Sequence, residues 1–155
     1  MKKTTLLKLM WLWPPFLGAG VRVKHVSADF KNITVEMKLS FWNKNYFGTQ
    51  YGGSLYSMTD PFYALMLLDH LGREYIVWDK YGSIDYVSPG RGKVYANFQL
   101  SQQQIDDIKT QVDQNGKTEY DFAVQILDES NKLIADVKKT LYIRRKDTLK
   151  PSEMT

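Results

Sequence analysis

The chain of 155 residues contains no cysteine. This absence excludes disulfides, thiolate metal ligands and a cysteine nucleophile, and it fits a reducing compartment such as the cytoplasm. Apolar residues make up 43% of the chain and charged residues 25%, as in an ordinary globular protein. A chain of this length is expected to form a single domain, residues 1–155, with a buried core.

Acidic residues are missing from residues 1–28, which contain five lysines and arginines. The net charge of +4 therefore lies at one end of the chain, and not along a strand or helix that could follow a phosphate backbone. We expect no nucleic-acid partner. Metal-ligand spacing of histidines and carboxylates is also missing, so we expect neither a metal nor a resident cofactor.

Long uncharged stretches are missing as well. The longest one near the N-terminus covers residues 9–21, which is too short to span a bilayer. Lys2 and Lys3, followed by apolar residues, imitate a signal peptide, but Lys8 interrupts the apolar run and no convincing cleavage site follows. Membrane contact through residues 1–17 and a cleaved signal are therefore the less favoured alternatives.

The favoured interpretation of the N-terminus is a short helix, Thr5–Trp13, that the Pro14–Pro15 pair ends. So short a helix is marginal alone in water, so it must pack on the domain through Leu6, Met10 and Trp13. With the loop that follows, this helix makes up the N-terminal segment, residues 1–17.

Six segments have the alternation of apolar and polar residues that is typical of strands, or a rougher version of it. The clear segments are 33–41, 93–100, 120–126 and 133–143, and the rougher ones are 21–29 and 75–87. A clear strand of this kind has one apolar face for a core and one polar face for solvent. Residues 144–155 are predicted to form a flexible tail.

Short connections between these segments suit hairpins. They are Lys31–Asn32, Pro89–Gly92 and Asp128–Asn131. Hairpins predict an antiparallel sheet with one solvated face. Between the fourth and fifth segments, Ser101 is a predicted N-cap for a polar helix that ends near Val112.

One further helix is predicted over residues 53–71, with Gly72 as its C-terminal stop. Residues Phe62–Leu68 are apolar without a break, so this helix is hydrophobic on all sides and should be buried. The sequence therefore indicates an α+β protein in which a curved antiparallel sheet surrounds a buried helix.

The residues that begin this helix, 45–60, read NYFGTQYGGSLYSMTD. They resemble the motif at the start of the central helix in hotdog-fold thioesterases of the phenylacetate-degradation type. The matching positions are Asn45, Gly48–Thr49, Gly52–Gly53 and Asp60. Tyr51 stands where that family has a histidine. A wider pattern is similar to an uncharacterised hotdog family thought to hold acyl-CoA thioesterases; it includes Asn43, Asp60–Pro61 and Ile84 to Pro89.

The resemblance implies a hotdog fold with about six strands around one long central helix, and a homodimer or a dimer of dimers. It also implies hydrolysis of acyl-CoA or a similar thioester, with coenzyme A present only as part of the substrate. The Gly52 N–H would polarise the thioester carbonyl at the helix start, and Asn45 would add a donor or hold the water. Asp60 would act across the dimer interface as general base or nucleophile.

The substrate-binding residues expected around this centre are Tyr51, Gly53, Thr49, Lys80 and Arg91. Tyr51 is interpreted as a pocket wall, with a phenol hydrogen bond to substrate as the alternative. Lys80 either forms a salt bridge or meets an anionic substrate, and the sequence does not decide. Arg91 could touch a phosphate, although a hairpin turn explains its Gly90–Lys93 surroundings equally well.

Each catalytic assignment has a structural alternative. Asp60 before Pro61 is also a good N-cap, in which case the helix breaks there and the carboxylate binds the N–H groups of residues 62–63. Gly52 and its neighbour would then only ease a turn, and Asn45 would be an ordinary turn residue. In function, the runner-up is a non-hydrolytic binder of acyl thioesters. A hydratase is less favoured because hotdog hydratases usually need a catalytic histidine.

Overall fold

The computed structural model describes residues 3–146, and their side chains from residue 5 onward. Most of the predicted tail, 144–155, lies outside the described residues, while Arg144 and Arg145 belong to the last strand. The helices are α1 Lys3–Lys8, α2 Pro14–Ala19, α3 Gly52–Ser57, α4 Phe62–Leu71 and α5 Gln102–Asn115. The strands are β1 Val21–Val26, β2 Asn32–Lys38, β3 Tyr75–Tyr86, β4 Lys93–Gln99, β5 Lys117–Asp128 and β6 Leu133–Arg145.

The six strands form one antiparallel sheet in the order β1-β2-β4-β5-β6-β3. Two of the three predicted hairpins are present, β1–β2 and β5–β6. The third prediction is wrong, because Pro89–Gly92 joins β3 at one edge of the sheet to β4 in its middle. Two strands that follow one another in the sequence are therefore not neighbours in the sheet. β3 is an edge strand of twelve residues.

The buried helix packs against the inner face of this sheet. Phe62 at the start of α4 is fully buried between the rings of Phe16 and Phe98, with centroid separations of 5.9 and 5.0 Å. Tyr63 stacks on Phe122 at 4.5 Å, and its hydroxyl donates a 2.8 Å hydrogen bond to the Ala123 carbonyl. Apolar burial of this kind is the main favourable term that holds the helix in the sheet.

The central helix is interrupted, whereas the sequence predicted a single helix over 53–71. α3 ends at Ser57 and α4 begins at Phe62. In the connection, Thr59 is fully buried and its hydroxyl donates to the Tyr56 carbonyl at 2.7 Å. A cis peptide joins Asp60 to Pro61. The break itself agrees with the N-cap alternative, but the cap does not, because no side chain caps the start of α4.

The N-terminal segment differs from the predicted helix and loop. α1 continues as a 3₁₀ helix, Leu9–Leu12, and the two prolines start α2 instead of only ending what precedes them. Proline suits a first helical turn because the N–H that it lacks has no partner there. Phe16 of α2 is 1% exposed, so this helix belongs to the core. Leu7 is the buried residue of α1, while Leu6 is 57% exposed.

The polar helix α5 confirms the prediction at its start and runs to Asn115, three residues beyond the predicted end. The Ser101 hydroxyl accepts from the Gln104 N–H, and the Gln104 side chain returns a bond to the Ser101 N–H. Gly116 ends the helix in the left-handed conformation. This reciprocal cap satisfies two backbone donors that the helix itself cannot.

Asn43 connects the N-terminal helices to the sheet. Its amide nitrogen donates to the Ala19 carbonyl at 2.8 Å and to the Lys38 carbonyl at 2.9 Å, and its oxygen accepts from the Ser40 N–H at 2.7 Å. The side chain is 6% exposed. Three backbone groups therefore depend on one buried amide.

We expect Asn43→Ala to lower the free energy of unfolding by at least about 2 kcal/mol, because several buried polar groups lose their partner together. Urea unfolding measures this change. The control is Asn97→Ala, at an exposed position on β4, which should shift stability by no more than about 0.5 kcal/mol. Equal stability of the two variants would show that the bonds of Asn43 are dispensable.

Candidate active site

A cavity of about 340 Å³ lies at the start of α3. It is lined by Asn45, Thr49 and Gln50, by Gly52 and Leu55 of α3, and by residues 86–90 at the end of β3. The first three amide N–H groups of a helix have no carbonyl of a preceding turn to bind. The Gly52 amide is the first of these, so the cavity adjoins a free backbone donor.

Asn45 holds the loop that forms one wall of this cavity. Its oxygen accepts from the N–H groups of Phe47 and Thr49, both at 3.0 Å. Its nitrogen donates to the Thr49 hydroxyl at 2.9 Å and to the Gln50 carbonyl at 3.3 Å. Since both of its N–H groups are used within the loop, the geometry favours the turn alternative and makes Asn45 a positioning residue.

Tyr86 is the neighbour of Gly52 that the sequence did not reveal. A β-carbon added at Gly52 would lie 3.0 Å from the Tyr86 hydroxyl oxygen and from its ring carbon Cζ. Glycine therefore allows this close approach without displacing Tyr86, and the phenol is a second hydrogen-bond donor at the helix start. Tyr86 is 57% exposed, so its hydroxyl is within reach of a ligand in the cavity.

Tyr51 and Gly53 lie on a different cavity, of about 480 Å³, against Pro14, Pro15 and Trp42. The Tyr51 ring covers Gly53, where an added β-carbon would lie 2.6 Å from its Cε1. Thr49 lines the first cavity with Gly52. The predicted substrate-binding residues around the helix start are thus divided between two cavities.

Lys80 and Arg91 are not part of either cavity. Lys80 forms a salt bridge with Glu119 on the outer face of the sheet, which is the first of its two predicted roles. Arg91 is exposed in the connection between β3 and β4. Neither side chain lies among the residues that line the cavity at Gly52.

Asp60 binds a buried lysine. The Lys139 ammonium is 3.0 Å from Oδ1 of Asp60 and 2.9 Å from Oδ2 of Asp79. The Lys139 side chain is only 4% exposed, whereas that of Asp60 is 45% exposed. The carboxylate of Asp60 is therefore engaged by the sheet and is not an N-cap, which corrects the capping alternative.

A β-bulge directly follows Asp79 in β3. Asp79 pairs with Leu141 and Gly82 with Lys139, but the register shifts between Asp79 and Tyr81. The extra residue, Lys80, lets positions 79 and 82 face the same side of the sheet although they are three apart. Gly82 leaves room opposite Lys139, and the Tyr56 hydroxyl occupies that room.

The charges in the cluster shift its pKa values in opposite directions. Burial acts to raise the pKa of Asp60, but the hydrogen bond with Asp79 and the Lys139 ammonium outweigh it and hold that pKa below its usual value. Burial and the contact with Asp60 raise the pKa of Asp79. Burial acts to lower the pKa of Lys139, yet its bonds to Asp79 and Asp60 raise it. Asp60 is thus the carboxylate of the pair, and Asp79 the member that takes a proton first.

Within one chain, Asp60 is separated from the cavity at Gly52. It does not line that cavity, and α3, whose six residues begin with Gly52, leads away from the cavity before the chain reaches Asp60. At about 1.5 Å per residue, such a helix spans about 9 Å. A thioester carbonyl at Gly52 is therefore too far from the Asp60 of the same chain for direct attack by a water held there.

A third cavity, of about 660 Å³, separates the N-terminal helices from α4. Its apolar lining comes from Leu6, Leu7, Met10 and Trp13 on one side and from Leu65 and Leu68 on the other. Pro61, which follows Asp60, is also part of the wall. The volume lies within the range of about 300–1,000 Å³ that is usual for ligand pockets.

Within residues 3–146, no cluster of three or more histidines and carboxylates could hold a metal ion. None of the helices in this described part is long and apolar enough to cross a membrane.

Two residues of the cluster were missed by sequence analysis, Lys139 and Asp79. A signal existed for Lys139, because it occupies the inward parity of β6 shared by Val137, Leu141 and Ile143, all fully buried. Asp79 shares its parity with Tyr75 and Val77 of β3, but the bulge after Asp79 moves the later residues of the strand to the other parity. The alternation of the whole segment is therefore rough.

The family of the chain is established by a match to the model of DUF4442, a domain of unknown function, over residues 2–143. The chain belongs to this family. None of the curated proteins matches the sequence at a significant level. The predicted membership of an uncharacterised hotdog family is confirmed.

Three solved structures show the fold. A Pseudomonas aeruginosa protein of unknown function, described as a probable thioesterase, is 19% identical with a TM-score of 0.77, over 94% of this chain and 98% of its own. A Haemophilus influenzae thioesterase is 16% identical with a TM-score of 0.69, over 94% and 92%. A Chlorobaculum tepidum protein of unknown function is 15% identical with a TM-score of 0.73, over 92% and 94%. The predicted α+β hotdog fold is confirmed.

Proposed function

We propose that this DUF4442 protein hydrolyses acyl thioesters, with acyl-CoA as the substrate class, in the cytoplasm. The observation that carries the proposal is the charge cluster at Asp60, which keeps a half-exposed carboxylate ionised at the break in the central helix. Support comes from the motif over residues 45–60 and from the similar structures that are named as thioesterases.

The cavity at Gly52 is the place where the thioester carbonyl would bind. Attack on a thioester carbonyl places negative charge on its oxygen, and donors aimed at that oxygen lower the barrier. The Gly52 N–H is the first donor, and Asn45 keeps the loop before it in place. Thr49 and Tyr51 contribute walls on either side of the helix start, and Gly53 stays adjacent to the donor.

Asp60 is the general base of the proposed reaction. As water attacks the carbonyl carbon, its proton passes to the Asp60 carboxylate, and the tetrahedral intermediate then breaks its C–S bond. The thiolate that leaves takes the proton from Asp60, so that the products are a carboxylic acid and a thiol. A lowered pKa makes Asp60 a weak base that is fully ionised at neutral pH.

A second copy of the chain would bring the Gly52 cavity and the base Asp60 together. β3 is an edge strand of twelve residues, and its side chains Trp78, Tyr81 and Tyr86 are between 56% and 65% exposed. A long edge with apolar side chains invites pairing with another strand. In a twofold dimer, the Asp60 of one chain can face the Gly52 cavity of the other.

The apolar cavity beside Pro61 suits the acyl chain. It begins next to the proposed base and is walled by α4 and the N-terminal helices. A binder that holds acyl thioesters without hydrolysing them is the second candidate function, because Tyr51 replaces the histidine of the related motif. Release of free thiol from acyl-CoA distinguishes the hydrolase from the binder.

We expect Asp60→Asn to reduce turnover of the best acyl-CoA by about 10²–10⁴-fold, because an amide cannot take a proton from water. The melting temperature should change little, since Lys139 keeps Asp79 as a partner and the Asn oxygen can still accept from it. Release of free thiol measures turnover across a series of acyl chain lengths.

The control for this variant is Asp107→Asn, an exposed carboxylate on α5, which should keep full turnover. Full turnover in Asp60→Asn would remove Asp60 as the base. Absence of hydrolysis in the wild-type protein together with tight acyl-CoA binding would favour the binding function.

In solution, the protein should be a homodimer or a tetramer of two dimers at micromolar concentration. Light scattering coupled to size exclusion measures the mass. The shared site requires this assembly, because Gly52 and Asp60 of one chain are too far apart. A monomer that retains full hydrolytic activity would contradict the shared site.

Removal of residues 1–13 should change acyl-chain preference or solubility more than it changes the fold. Long-chain substrates should lose about 0.8 kcal/mol of binding for each methylene that is no longer buried. Phe16 stays in the truncated chain, so the core around Phe62 is retained.

The ratio of kcat/KM for long and short acyl-CoAs measures the effect. Two point variants test the cavity more narrowly. Leu6→Ala changes a residue that lines it, and Leu12→Ala changes an exposed residue outside it as the control. A much lower melting temperature of the truncated chain, with unchanged acyl-chain preference, would show that the N-terminal helices serve only as part of the core.

A further inference from the structure

The charge cluster contains two residues that the proposed reaction does not consume, Lys139 and Asp79. We propose that they are positioning residues for Asp60: Lys139 binds and orients its carboxylate, and Asp79 holds Lys139 in place. This inference rests on the proposed function for its catalytic part. Its structural part, the pairing of Lys139 with both carboxyl groups, stands on contacts alone.

The two residues lie on neighbouring, hydrogen-bonded strands of the sheet. Lys139 is in the middle of β6, which pairs with β5 on one side and β3 on the other. Asp79 is on β3 and binds the same ammonium. Asp60, by contrast, belongs to the short connection between α3 and α4. A base in a connection needs outside contacts to keep one orientation, and the sheet provides them.

Burial makes the arrangement obligatory for Lys139. An ammonium that is 4% exposed is stable only when paired, and both of its partners are carboxylates. Its third neighbour is the Tyr56 ring, whose centroid lies 5.7 Å from the nitrogen. The groups around the Lys139 ammonium are therefore the carboxyl of Asp60, a carboxyl from β3 and an aromatic ring from α3.

The cluster holds two carboxylates for one ammonium. Two such groups in contact cannot both ionise freely, so the first proton that enters goes to one of them. Asp79 is the member with the raised pKa and Asp60 the member with the lowered one. Asp60 is thus left as the carboxylate that can accept the proton from water, and Asp79 takes up proton charge without leaving the sheet.

The decisive variant is Lys139→Met, which keeps the length of the side chain and removes its charge. We expect the acidic limb of the kcat profile to move to higher pH by about 1–3 units, since an opposite charge at this distance lowers a carboxyl pKa by that amount. The value of KM should change little, because Lys139 lines none of the three cavities described above.

A matched control is Lys138→Met. Lys138 is the preceding residue of β6 and is exposed on the other face of the sheet, so its pH profile should equal that of the wild type. The second variant is Asp79→Asn, with Asp85→Asn, exposed on the same strand, as its control. Asp79→Asn should abolish the raised carboxyl titration and leave Asp60 with a lowered pKa, because Lys139 remains.

Carbon-13 NMR of the aspartate carboxyl groups provides a readout that requires no catalysis. In the wild-type protein, one carboxyl of the cluster should titrate below the usual range and one above it. Both titrating at ordinary values would overturn the proposal even if Lys139→Met does not fold. An unchanged acidic limb in a folded Lys139→Met protein would overturn it as well and leave a structural ion pair.

These outcomes are distinct from failure of the proposed function. If the wild-type protein releases no thiol from any acyl-CoA, the hydrolase proposal fails, while the NMR titrations still test the division of charge. If hydrolysis is normal and the titrations are ordinary, only the role of Lys139 and Asp79 is wrong.

Discussion

The burial of one cation is the constraint on which the geometry of the candidate site depends. The Lys139 ammonium lies on the helix-facing side of the sheet, where an unpaired charge would be very costly. Its partners come from two elements that are far apart in sequence, the break before α4 and the edge strand β3. The ion pairs therefore fix the break against the sheet, while Phe62 and Tyr63 anchor the helix that follows it.

The interruption of the central helix gives Asp60 its partial exposure. In an unbroken helix, residues 56, 60 and 63 would share one face, and Tyr63 shows that this face is buried against β5. A carboxylate there would lose its contact with solvent. The break at residues 58–61 releases Asp60 from that face, so that the carboxylate meets Lys139 while the side chain as a whole remains 45% exposed. Asp60 is thus both held by an ion pair and accessible to solvent.

Sequence analysis was accurate where the signal is local. Alternating residues predicted the strands, and the Ser101 cap predicted the start of α5, because both depend on neighbours within a few positions. It failed where distant parts of the chain decide. Pro89–Gly92 is as short as a hairpin, yet β3 pairs with β6 and not with β4. Pro14 can end one helix or begin another, and only the burial of Phe16 selects the second.

The site was predictable to the same extent. Of the residues that the motif placed at the helix start, Asn45, Thr49 and Gly52 line one cavity, and Tyr51 and Gly53 line another. The partners of Asp60 were not predictable, although Lys139 falls on the inward parity of β6 and must be paired if it is buried there. The chain has 17 acidic residues that could pair with it. Asp79 has the inward parity of Tyr75 and Val77, but alternation continued from Tyr81, which is 65% exposed, would place it outward, because the extra residue Lys80 shifts the register between them. The face of Asp79 could therefore not be assigned from the sequence, because a bulge is a feature of strand pairing that no single strand encodes.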